Sequence, residues 1–83
     1  MKVTSPALLA HAVKDHRKIK KLTQAETADL IGIKQATVSD FENRPESTKL
    51  DTLFKILSAL DLELQVVKKG ITLDKEKIWT KEW

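Results

Sequence analysis

The chain has 83 residues, enough for one small domain, a formal net charge of +3 and no cysteine. Disulfides and thiolate metal sites are therefore excluded, and two isolated histidines do not build a zinc site, so no cofactor is expected. A domain this short buries a modest core, and pairing with a second copy is a common way to gain buried surface.

Ser5 followed by Pro6 marks the first helix start. Serine accepts a hydrogen bond from a free amide of the first turn, and proline has no amide to leave unsatisfied there. Leu9, Ala12, Val13 and His16 recur at helical spacing and are expected to face inward, with His16 a packing residue rather than a base. The helix is expected to fray near Lys20 or Lys21, its basic last turn complementing the helix dipole. Arg17, Lys18, Lys20 and Lys21 form a short basic cluster, read either as solvated surface or as part of a nucleic-acid face.

Thr23-Gln24-Ala25-Glu26 is a capping box that opens a second helix, in which the Thr23 hydroxyl and the Glu26 carboxylate each satisfy a free amide. Ala25, Ala28 and Ile31 offer it a small apolar surface, and Gly32 ends it, because glycine adopts the left-handed conformation the turn requires. A third helix is expected over residues 34–43, anchored by Ile33, Val38 and Phe41. It stops at Arg44-Pro45, since the residue before proline avoids helical geometry. After a polar loop over 46–49, with Thr48 or Lys49 as cap, a fourth helix places Leu50, Leu53, Phe54, Leu57 and Leu60 on one stripe. Ile56 lies off that stripe, at the core edge or on a contact surface.

Beyond Asp61 the period changes from helical to alternating: Leu62, Leu64 and Val66 against Glu63, Gln65 and Val67 read as a strand. A lone strand leaves its backbone groups unpaired. The favoured solution is pairing with the same strand of a second copy, and the alternative is a hairpin turning at Gly70 and returning over 71–73. The chain thus divides into a helical and dimerising domain, 1–69, and a flexible polar tail, 70–83, which holds both tryptophans, Trp79 and Trp83. Tryptophan buries a large area with few rotors, which makes these two candidates for anchoring a partner, against the simpler reading that they fold back on the chain's own core.

The feature that carries function is the pair of helices joined by a tight glycine-containing turn between Thr23 and Asn43. Such a pair presents its second helix as a rod that fits the DNA major groove. At the tip of the rod, Lys34 suits guanine O6 and N7, Gln35 suits the two adenine edge groups, and Ala36 suits the thymine methyl. Gln24, Thr37, Ser39, Asn43 and Arg44 are candidate phosphate contacts. Paired carboxylates, a nucleophile–base pair and a phosphate loop are all missing from the pattern, so no catalysis is expected. No apolar run is long enough for a signal peptide or membrane span, which points to the cytoplasm.

Thr23-Gln24-Ala25-Glu26 with Ala28, Ile31, Gly32, Gln35, Val38 and Phe41-Glu42-Asn43 resembles the phage-repressor (Cro/C1, XRE) helix-turn-helix class over about residues 5–60. The run from Gly32 to Asn43, the segment Phe54-Lys55-Ile56-Leu57 and the terminal Glu82-Trp83 are similar to HipB-type antitoxins within that class. This resemblance implies a mostly α, lambda-repressor-like bundle of about four helices, followed by one C-terminal strand that pairs across a homodimer. It also implies autorepression at palindromic double-stranded operators, and binding and neutralisation of a HipA-like serine/threonine kinase toxin, in one chain or two. Lys34, Gln35 and Ala36 would then read bases, while Gln24, Thr37 and Ser39 would contact the DNA backbone. Two positions depart from the class: Thr27 stands where a large aliphatic is usual and Leu30 where a polar residue is usual, implying a rotated helix or a partner over Leu30. The competing readings are a phage-type repressor without a toxin and a protein-interaction adaptor that binds no DNA.

Overall fold

The structure is a computed structural model and describes residues 2–69. Four α-helices follow in order: α1 Pro6–Ile19, α2 Gln24–Ile31, α3 Gln35–Asn43 and α4 Leu50–Ala59, with a 3-10 turn Pro45–Ser47 before α4. The caps lie where local chemistry demands. The Ser5 hydroxyl accepts from the Leu8 amide at 3.1 Å. The Thr23 hydroxyl accepts from the Glu26 amide at 3.0 Å while the Thr23 amide donates to the Glu26 carboxylate at 2.8 Å, completing the capping box. Gly32 terminates α2 at φ +68°. A Cβ there would meet open space, so the demand for glycine comes from the backbone angle alone.

Ala10, Val13, Phe41, Leu53, Ile56, Leu57 and Leu60 form the core, with Leu9, Leu22, Ile31, Ile33 and Leu62 packed at its margin. Three expectations need correction. In α1 the inward face turns by about one residue, burying Ala10, Val13 and Arg17 and leaving Leu9, Ala12 and His16 half-buried. In α2, Ala25 is exposed and Thr27 is fully buried. The Thr27 hydroxyl donates to the Thr23 carbonyl one turn back at 2.9 Å, so the residue fills an apolar position without leaving a polar atom unpaired. Thr27 thus keeps the inward position, and the Leu30 departure needs no rotation of the helix: Leu30 simply points outward.

The third correction concerns α4. Ile56 is fully buried, whereas Leu50 and Phe54 are 70% and 52% exposed. The side that enters the core carries Leu53, Ile56 and Leu57, joined by Leu60 just after the helix, and the edge with Leu50 and Phe54 is left exposed. Lys49, not Thr48, occupies its cap position, with no side-chain hydrogen bond.

After α4 the chain turns at Asp61, in the left-handed region at φ 58°, and the Leu62 amide donates to the Leu57 carbonyl at 2.8 Å. Residues 62–68 carry no regular element in the single chain, and no strand occurs among the described residues. Leu64 and Val66 are 44% and 80% exposed, and Leu64 lies beside Phe54 of α4. The hairpin over 70–73 and the tail with Trp79 and Trp83 lie outside the described residues. No helix among the described residues is long and apolar enough to cross a membrane.

Candidate nucleic-acid interface

Gly32 and the short turn after it set α3 across α2, and these two helices make the most extensive helix pair in the bundle. Val38 and Phe41 are pulled into the interior, which fixes the rotation of α3 about its axis. Residues on the opposite side are thereby turned outward: Lys34, Gln35, Ala36, Asp40 and Asn43 are exposed, and Thr37 and Ser39 are half-buried on the flanks. The helix begins one residue later than its sequence suggests, with Lys34 as the cap. Lysine has no acceptor to offer, so no side chain caps the first amides of α3. Uncapped amides at a helix start carry partial positive charge, which together with the Lys34 ammonium favours an anionic or hydrogen-bond-accepting neighbour.

Gln35 does not stand free. Its Nε2 donates to Gln24 Oε1 at 3.0 Å, so the first residues of α2 and α3 are joined side chain to side chain. Gln24 Nε2 in turn donates to Glu42 Oε1 at 2.9 Å. Glu42 is held by Arg17 of α1 through a fork: Nε to Oε2 at 2.6 Å and Nη2 to Oε1 at 3.1 Å. The remaining arm of the guanidinium, Nη1, donates to the Leu22 carbonyl in the α1–α2 turn at 2.7 Å. One guanidinium therefore ties together α1, the turn before α2, and the last turn of α3. A planar fork matches a carboxylate in a way that a lysine ammonium does not.

The side chains of Arg17 and Glu42 are only 10% and 1% exposed. Burial pushes the Glu42 carboxyl upward, but the hydrogen bonds from Arg17 and Gln24 and the charges of Arg17 and Lys14 outweigh it and hold the pKa below the usual carboxylate value. The carboxylate is thus ionised under ordinary conditions. Arg17 accordingly leaves the basic cluster in which its sequence position groups it: it is a buried strut, while Lys18, Lys20 and Lys21 remain exposed. Of these, Lys20 reaches Asp61 at 3.3 Å across an exposed surface.

The other sequence-selected residues are spread over the same face. Asn43 Nδ2 donates to Ser39 Oγ at 3.2 Å, one turn apart on α3. Arg44 closes α3, its amide donating to the Asp40 carbonyl at 2.7 Å, and its side chain is exposed beside Pro45. Leu62 and Leu64 line a shallow open groove with Phe54, Leu57, Ser58 and Asp61, and Val66, two residues on, is exposed. The residues that sequence reasoning missed are Arg17 and Glu42. The available signal was the choice of arginine in an otherwise lysine-only cluster, since a buried carboxylate asks for a fork rather than a point charge.

Two short helices set across each other, with the second offering an uncapped, polar and cationic tip, define a helix-turn-helix module of the kind that enters a DNA groove. Comparison with known proteins agrees. A family model described as "Helix-turn-helix" matches residues 13–67. The antitoxin HipB of Escherichia coli strain K12 is 52% identical over 63 residues, which is 76% of this chain and 72% of that protein. A solved complex of HipA, HipB and the sites O2 and O3 contains a chain that superposes with a TM-score of 0.81 at 48% identity, covering 83% of this chain and 97% of that one. A HipB chain solved with an O4 20mer matches with the same TM-score, identity and coverage. The chain belongs to the Cro/C1 (XRE-type) helix-turn-helix family and, within it, to the HipB-type antitoxins.

Proposed function

We propose that this chain is the antitoxin of a HipBA-like toxin–antitoxin system: a dimeric, sequence-specific autorepressor that binds palindromic operators and binds and neutralises a HipA-like serine/threonine kinase. The observation that carries the DNA-binding half is the braced tip of α3, where Gln35 is exposed yet held in place by Gln24, Glu42 and Arg17. Pre-positioned amides lose little freedom on binding, which suits base recognition. Lys34, Gln35 and Ala36 read base edges, and Gln24, Thr37, Ser39, Asn43 and Arg44 contact phosphates. The toxin-binding half is supported by the likeness to HipB chains, one of which was solved together with HipA.

Dimerisation follows from the apolar side of α4 and the segment after it. Leu50, Phe54, Leu64 and Val66 are large and exposed, and Phe54 and Leu64 line one groove. A second copy covers them, the segment carrying Leu62, Leu64 and Val66 pairing with its counterpart as a two-stranded sheet. Residues 1–69 then form the DNA-binding and dimerising domain, and the tail over 70–83 supplies Trp79 and Trp83 as anchors for the kinase.

Titration of the DNA upstream of the protein's own reading frame tests the first half. The expected result is a sequence-selective complex of one dimer per palindrome, with affinity falling steeply as salt rises. Equal affinity for scrambled DNA of the same length refutes it. Co-purification with the neighbouring kinase tests the second half. Removal of residues 79–83 is expected to weaken the kinase complex and leave operator affinity unchanged.

A further inference from the structure

We infer that Glu42, a residue that touches no base, decides the order in which Gln35 presents its donor and acceptor to DNA, acting through Gln24. The proposal rests on the reading of Gln35 as a base contact and adds to it a positioning device buried beneath that contact.

The chemistry runs outward from the interior. An ionised carboxylate only accepts hydrogen bonds. Arg17 occupies both oxygens of Glu42 from one side, and Gln24 approaches Oε1 from the other at 2.9 Å. The Gln24 amide is therefore compelled to turn its nitrogen inward, since two acceptors facing each other at that distance repel. With its nitrogen committed, Gln24 shows its oxygen to α3. Gln35 then has no choice but to turn its own nitrogen toward Gln24, as the 3.0 Å contact records. One N–H of Gln35 is used in that contact. The other N–H and the carbonyl oxygen remain as a fork of one donor and one acceptor in a fixed order, the pairing that adenine N7 and N6 require.

A glutamine free to turn about its last bond offers the two groups in either order and discriminates poorly between bases. Here three polar groups in series transmit a single choice made by a charge. The starting point is firm because Glu42 is buried and doubly held, so its protonated form, which has a proton to donate and would allow the reverse order, is disfavoured. Arg17 is thus a positioning residue one step further back, in direct contact with Glu42. A merely structural role for this pair predicts something different: weakening of all DNA complexes alike.

The test uses a duplex selected by the native chain from a random-sequence pool, with each A·T pair of the half-site then replaced in turn. Gln35→Ala locates the pair that Gln35 reads. Glu42→Gln, which has both a donor and an acceptor and so enforces no order, is expected to reduce preference at that same pair by roughly fivefold or more. Preference at the other pairs is expected to stay intact. Because Glu42→Gln also disturbs a buried ion pair, Gln24→Met provides a second break in the series that leaves Arg17 and Glu42 in place. It is expected to flatten the same single position, with no further loss in the double variant. Full preference retained by folded Gln24→Met overturns the inference while leaving the DNA-binding reading intact. Failure of the native chain to select any duplex overturns the reading itself.

Discussion

Glu42 and Phe54 sit on consecutive helices and meet opposite fates. Glu42, a charged side chain, is 1% exposed and fully partnered inside the chain. Phe54, an aromatic one, is 52% exposed. The difference separates what a chain of this size completes alone from what it leaves for association. A buried charge is tolerated only with an opposite charge and hydrogen bonds at hand, so the α1–α3 side of the bundle had to close its network within one copy. Apolar surface carries no such demand. It tolerates water at a modest free-energy penalty, roughly 25 cal/mol per Å², until a second copy covers it.

Substitutions sharpen this contrast. The largest expected effect is that of Arg17→Met, which strands the Glu42 carboxylate; denaturant titration is expected to show a loss of about 3–5 kcal/mol, most of it restored when Glu42→Leu is added. The same pair gives stability a pH dependence. Glu42 titrates lower in the folded chain than in the unfolded one, so its contribution is present above the unfolded value and is lost as pH falls through the folded value. Acid unfolding of the native chain is expected to be steeper than that of Glu42→Gln, and identical profiles would remove the assignment.

On the opposite side, Phe54→Ala is expected to leave the monomer folded and weaken the dimer by about 2 kcal/mol, roughly thirtyfold in dissociation constant, measured by sedimentation equilibrium. If the monomer unfolds instead, Phe54 belongs to the intrachain core and the contrast fails. At the DNA face, Gln35→Ala is expected to cost about 1–3 kcal/mol of discrimination at one base pair. Arg44→Ala is expected to weaken all sequences alike and to reduce the salt slope by about one. The smallest effects belong to the backbone. Lys21 sits at φ 60° without glycine's freedom, so Lys21→Gly is expected to stabilise the chain by up to about 1 kcal/mol. Gly32→Ala, at φ +68° with open space around it, is expected to destabilise it by about as much.

Ser5-Pro6, the Thr23–Glu26 capping box, Gly32 and the Arg44-Pro45 stop were all legible along the chain, because each acts on backbone groups within a turn of itself. Helix positions, the short turn between α2 and α3, and the outward placement of Gln35 and Ala36 follow from those signals together with the spacing of Val38 and Phe41. Three matters were settled only in three dimensions. Which apolar side of α4 faces inward depends on the shape offered by α1, α2 and α3, so Ile56 displaced Leu50 and Phe54 from the core. Arg17 looked like one more surface cation until α3 brought a carboxylate 25 positions away within 2.6 Å of it. The orientation of Gln35 depends on a series of contacts among three helices, and a linear pattern carries no record of distance between segments that meet only on folding.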